Sequence, residues 1–216
     1  MVWEVFNIIG TIAFAMSGAV IALKVNYDLL GVYVLGLITA FGGGAVRNLF
    51  IGIPITQLWQ QNSLFIIAII TISLVFLLPS KAVVFLSRWS IFDAIGLSAF
   101  AVQGAMYAQA TDLPIFAVMF SAAITGAGGG IIRDVLAQEK PMVFRQDVYA
   151  LWAMLAGFVI GMDWVTESYQ FYLLFLVILI CRSISHRYNW SLPRRSLQSI
   201  QTDTSNNYTE KSAKIG

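Results

Sequence analysis

The chain has 216 residues, 58% of them hydrophobic and 11% charged, with a formal net charge of +2 and a mean hydropathy of +0.78. Soluble domains carry roughly 25% charged residues, so a water-facing globule is excluded. One cysteine and five prolines exclude a disulfide scaffold and a collagen. A helical membrane protein remains, and at about 20 apolar residues per span it has room for roughly seven helices and no separate soluble catalytic domain.

Charges divide the sequence into spans. Residues 5–23 and 29–46 are uncharged runs of 19 and 18. Glu4 is the only charge before Lys24, so the amino terminus lacks the basic start of a signal peptide and is read as a mature helix. Residues 62–79 follow a polar stretch and close at Pro79. Residues 94–111 and 113–132 are runs of 18 and 20, whereas 148–162 is a run of only 15, which a thin or distorted bilayer accepts. The last span is read at 168–186, with Arg182 close enough to its end to snorkel. Residues 187–216 read as a flexible basic tail, with Arg187, Arg194 and Arg195 placed to meet anionic lipid headgroups. Cys181 is read as a buried inert thiol, and the single His186 leaves no Cys/His metal cluster.

With seven spans, the amino terminus shares a side with three loops that hold one basic residue, Arg47. The other twelve of the 13 basic residues fall on the opposite side. The expected orientation is therefore amino terminus outside and tail cytoplasmic.

The sequence also repeats itself at an offset of 86. Residues 6–52 match 92–138 at 16 of 47 positions without a gap, and Gly42-Gly43-Gly44-Ala-Val-Arg47 falls on Gly128-Gly129-Gly130-Ile-Ile-Arg133. Each copy holds three spans, an odd number, so the second enters the membrane from the opposite side. The expected fold is all-α and polytopic: two inverted three-helix repeats, 5–80 and 91–163, plus a seventh transmembrane helix. Inverted repeats commonly place a binding site or pathway near the midplane between the copies.

Glycine costs about 1 kcal/mol relative to alanine in a helix, so each triplet favours a kink or an unwound turn. Such backbone at membrane depth is tolerated where it lines a cavity, and the freed carbonyls of Gly42, Gly43, Gly128 and Gly129 would then meet a transient monovalent cation. The alternative reading is close helix packing through small residues. Thr39, Gly43 and Arg47 share one helix face, as do Thr125, Gly129 and Arg133. Arg133 has Asp134 beside it where the first copy has Asn48, so the two ends differ in charge. Ser17 and Gln103 are equivalent, as are Asn7 and Asp93; Asp93 is read as a carboxylate favoured by its helix dipole. Ser98 lines the pathway or bonds back to its own helix. No Ser/His/Asp set and no phosphate loop is found, so an enzyme is not expected.

Two three-helix units that each end in Gly-Gly-Gly-x-x-Arg, followed by a seventh helix, resemble the TRIC family of trimeric intracellular cation channels. The likeness covers residues 6–186 and is to the prokaryotic branch, whose repeat unit is also labelled a glycine-transporter domain. The resemblance implies a homotrimer in membrane lipid, with no nucleic-acid partner and no cofactor. Each subunit would hold one pore selective for monovalent cations, chiefly potassium, lined by helices 2 and 5 bent at the triplets. The Lys-Glu pair of animal members has no counterpart inside a span, so lipid regulation through that pair is not carried over. Two arginines suit an anionic or zwitterionic solute better than a cation. The alternative function is therefore a carrier for glycine or a similar small amino acid, with Arg47 or Arg133 holding the carboxylate.

Overall fold

A computed structural model describes residues 2–87, 91–145, 148–188 and 190, with only the backbone of Arg145; Arg194, Arg195 and most of the expected tail lie outside them. Every regular element among the described residues is helical. In chain order these are α1 (Val2–Lys24), α2 (Leu29–Phe50), α3 (Thr56–Trp59), α4 (Asn62–Phe76), α5 (Ser80–Ser87), α6 (Ile91–Gln109), α7 (Ile115–Leu136), α8 (Met142–Arg145), α9 (Tyr149–Gly161) and α10 (Ser168–Arg187).

Local chemistry sets the ends of these helices. Glu4 in the first turn of α1 and Lys24 in its last both complement the helix dipole. The Asp28 carboxylate caps α2 by accepting from the Gly31 amide at 2.8 Å. Glu167 and Gln170 form a reciprocal capping box at the start of α10. Left-handed residues close the first two helices of each half: Asn26 (φ 59) and Asp112 (φ 53) after α1 and α6, Gly52 (φ 74) and Gln138 (φ 58) after α2 and α7. Both pairs are separated by 86 residues, so the sequence repeat reappears in the backbone.

Five helices, α1, α2, α6, α7 and α10, are long and apolar enough to cross a membrane, and α4 with α5 makes a sixth if the pair is one broken span. The span expected at 62–79 stops at Phe76, and α5 leaves at 114°. Pro79 explains the break, because its ring disfavours helical backbone at the residue before it. The short run expected at 148–162 is α9, of 13 residues. At 1.5 Å per residue it spans roughly 20 Å, less than a hydrocarbon core of about 30 Å.

α1 and α6 are the most enclosed of the long helices and α10 the least. Two glycines seat their contact. A Cβ on Gly10 would stand 2.5 Å from the Phe100 ring, and one on Gly96 would overlap the Phe14 ring. The two rings meet edge to face, with centroids 5.3 Å apart. Around this axis lie two apolar clusters, one including Ala15, Leu35 and Ile72, the other Val102, Val118 and Ile160. The outer surface carries exposed Leu30, Leu74, Phe116, Leu173 and Ile180, with exposed Trp59 and Trp164 beyond the helix ends. This is the exterior of a multi-pass membrane protein, apolar where lipid covers it and aromatic near the interfaces.

Candidate functional site

The Gly-Gly-Gly segments lie within α2 and α7, which run as continuous helices through both. The unwound turn expected there is therefore corrected. The carbonyls of Gly42, Gly43, Gly128 and Gly129 sit in regular helix, where the amide four residues on takes up the bonding that an unwound turn would free. Contact between helices supplies the reason. A Cβ on Gly43 would lie 2.5 Å from the Thr125 carbonyl oxygen and 3.1 Å from the Gly129 nitrogen. One on Gly129 would overlap the Thr39 carbonyl, and one on Gly128 would stand 3.1 Å from Gly43 Cα. The glycines let two backbones touch, which is the packing alternative.

Because Thr39 faces Gly129 while Gly43 faces Thr125, the helices cross antiparallel. Arg47 and Arg133 therefore leave the crossing in opposite directions, each about 6 Å along its helix. Thr39 and Thr125 flank the crossing, and their hydroxyls donate to the Leu35 and Ser121 carbonyls. Gly42 packs against Ile132. The third glycines are open to the polar sites, Gly44 beside Arg47 and Gly130 beside Asp93 and the Tyr149 hydroxyl. Ser98 bonds back to Ala94 and lines neither of the cavities described below.

At one end Arg47 is 3% exposed. Its Nε and Nη2 donate to Asn48 Oδ1 at 3.1 and 2.9 Å, and its Nη1 donates to Gln103 Oε1 at 2.9 Å. The guanidinium carbon stands 4.3 Å from the centre of the Tyr107 ring. No ion pair joins Arg47 to a carboxylate among the described residues. Beside it lies a cavity lined by Asn7, Thr11, Gly44, Gln61 and Gln103, with about 20 Å³ open to a water-sized sphere.

The other end is built differently. Arg133 pairs with Asp134 at 2.7 Å and Asp93 at 2.9 Å, and donates to the Ser17 hydroxyl. Asp134 also accepts from the Met142 amide, which ties α8 to α7. Asp93 in turn lies 3.8 Å from Arg182, whose guanidinium stacks on the Tyr149 ring at 4.5 Å. Ser17, Asp93, Arg133, Met142 and His186 line a cavity of about 180 Å³.

Two readings from the sequence are corrected here. Arg182 does not snorkel: at 1% exposure it is buried and turned into the bundle. Asp93 does sit in the first turn of α6, yet it is a buried carboxylate between two guanidinium groups. The clue available was the offset of 86, since Arg47 bonds Gln103 while Arg133 bonds its equivalent, Ser17. Arg182 lies outside the repeat and had no such clue.

Comparison with known proteins agrees with this architecture. A family model described as "Glycine transporter" matches twice, at residues 4–80 and 90–163. The UPF0126 membrane protein YvgT of Bacillus subtilis is 50% identical over 199 residues, 92% of this chain and 98% of that one. The UPF0126 inner membrane protein YadS of Escherichia coli K12 is 35% identical over 202 residues, 88% of this chain and 95% of that one. Among solved structures, a prokaryotic TRIC channel crystallised in 0.5 M KCl is similar with a TM-score of 0.79 at 34% identity, covering 89% of this chain and 99% of that one. The TRIC orthologue from Rhodobacter sphaeroides matches with a TM-score of 0.74 at 25% identity, covering 88% and 99%. With the family model on both halves and relatives matched along nearly their whole length, the chain belongs to the TRIC (UPF0126) family of membrane proteins.

Proposed function

We propose that this protein is a passive, potassium-permeable channel for monovalent cations, with one pathway in each subunit of a homotrimer. The observation that carries this reading is a pair of cavities at opposite ends of the α2–α7 crossing, each lined in part by polar side chains and each with a buried arginine. The likeness to prokaryotic cation channels supports it, and the names of neighbours as trimeric support the assembly. The pathway runs past Thr39, Gly42, Gly43, Gly44 and Arg47 on α2, and past Thr125, Gly128, Gly129, Gly130, Arg133 and Asp134 on α7. It is shut at the crossing, where the glycine backbones touch, and conduction requires those helices to part. Ser98 is left out, being bonded within its own helix.

The topology follows the same reading. The reciprocal contacts Gly10–Phe100 and Gly96–Phe14, and Arg47–Gln103 and Arg133–Ser17, have the form a two-fold axis produces and support an inverted repeat. Seven passes follow if α4 and α9, which occupy equivalent positions, cross as short spans. The amino terminus then lies outside and the Arg47 cavity opens outward. Moving one unpaired guanidinium through 100 mV is worth about 2.3 kcal/mol, so Arg47 is the candidate voltage-sensitive gate.

A carrier for glycine fits less well. The Arg133 cavity has the volume for a small amino acid, but its guanidinium is already held by two carboxylates. The Arg47 cavity has an unpaired charge, but at about 20 Å³ against about 180 Å³ it is the smaller of the two. Planar-bilayer recording of the pure protein decides between the two: unitary potassium-selective currents are expected. Saturable glycine counterflow without such currents overturns the channel.

A further inference from the structure

The two buried arginines differ in what neutralises them. Around Arg133 the charges Arg133, Arg182, Asp93 and Asp134 sum to zero. Around Arg47 the corresponding partners are the neutral amides of Asn48 and Gln103 and the Tyr107 ring, so one positive charge stays uncompensated. Burying such a charge is costly without an opposite charge beside it. A guanidinium carries five N–H donors, of which three are used here. Among the described residues, one N–H on each terminal nitrogen is left without an acceptor.

A second feature points into the same cavity. Thr39, Thr71 and Thr125 each donate to the carbonyl one turn back. Thr11, 1% exposed and lining the Arg47 cavity, makes no such bond, and its hydroxyl has no partner among the described residues. Asn7, Gln61 and Gln103 add amide groups to the same wall. A water needs at least about 10–15 Å³, so a cavity of about 20 Å³ has room for a water or a monatomic ion. Water would satisfy hydrogen bonds there but leave the charge.

We propose that the Arg47 cavity is a binding site for a single small halide, chloride in a cell, held by the free guanidinium N–H groups and the Thr11 hydroxyl. The bound anion cancels the charge at that mouth and so eases cation entry, a consequence that rests on the channel reading, whereas the binding itself does not.

The test compares the apparent melting temperature of the purified full chain in detergent in potassium chloride and in potassium gluconate at equal ionic strength, with glycine added to the gluconate as a third arm. Chloride is expected to raise it by about 5 °C, climbing with the logarithm of its concentration above the Kd, as a ligand specific to the folded state does. Arg47→Gln is expected to abolish that rise. Thr11→Val keeps the side-chain shape and is expected to require at least about 3-fold more chloride for the same rise, through loss of one hydrogen bond to an ion. Equal melting in the two salts overturns the proposal, as does a chloride rise that survives Arg47→Gln. If Arg47→Gln does not fold, Thr11→Val decides, and an unchanged dependence of melting on chloride concentration overturns the site. A rise with glycine and none with chloride overturns the halide in favour of a carboxylate. A chloride rise in a protein that carries no potassium current removes the channel reading and leaves the anion site standing.

Discussion

Asp93→Asn removes one negative charge from a buried group of four. Asp93 is 3% exposed and lies 2.9 Å from Arg133 and 3.8 Å from Arg182, so the variant leaves a net charge of +1 among Arg133, Arg182 and Asp134. Removing one partner of a buried ion pair costs about 3–5 kcal/mol, mostly the penalty of the charge left behind. For a chain of this size that is about 10 °C in apparent melting temperature. Arg182→Met in the same molecule restores neutrality with a side chain of similar length that suits the apolar face of Tyr149. The double variant should recover more than half of the loss. Scanning fluorimetry in detergent measures all three proteins. A single variant melting within about 2 °C of wild type refutes the argument, since a cost of several kcal/mol cannot be that small. A double variant less stable than the single also refutes it.

Gly43→Ala places a methyl group 2.5 Å from the Thr125 carbonyl, roughly 1 Å inside normal contact, so α2 and α7 must separate. The melting temperature should fall, as overpacking costs about 1–3 kcal/mol, and potassium flux into proteoliposomes should rise; wild-type values for both would show that this crossing does not shut the pathway. Lys24→Ala breaks the ion pair to Glu139, whose side chains are 49% and 34% exposed, and should cost under about 1 kcal/mol. A drop of more than about 5 °C in the same melting assay would mean the pair is not a solvated surface contact.

The positions of the long helices were legible because charge and lipid do not mix: each uncharged run became the body of a helix within a few residues. The third helix of the first half ends three residues short of the expected span, whereas that of the second half keeps its expected short length. Pro79 marked the end of α4, but the 114° turn into α5 depends on packing that no local residue encodes. The glycine triplets were misread for a definite reason. Propensity in water counts the missing side chain as a loss, whereas here the Thr125 and Thr39 carbonyls fill the space that Gly43 and Gly129 leave. Asp93 and Arg182 escaped for another reason. They stand 89 positions apart, and only the fold brings a carboxylate in α6 to a guanidinium in α10.

The repeat explains where the polar groups sit, and the departures from it explain how the two ends differ. At the positions of Asn7 and Asn48 the second copy carries Asp93 and Asp134, two added negative charges against an unchanged arginine. By itself that would make the Arg133 end −1 where the Arg47 end is +1. α10, which has no counterpart in the first copy, inserts Arg182 and brings the Arg133 end to zero. The added helix therefore does more than cover the bundle: it sets the charge of one mouth. A cation arriving at the Arg133 cavity meets no net charge, and one arriving at the Arg47 cavity meets +1 unless an anion lies there. On the proposed channel reading, the pathway is thus polar along its length although its scaffold is nearly symmetric, and Arg182 and the contents of the Arg47 cavity are the two points at which that polarity can be changed without touching the glycine crossing.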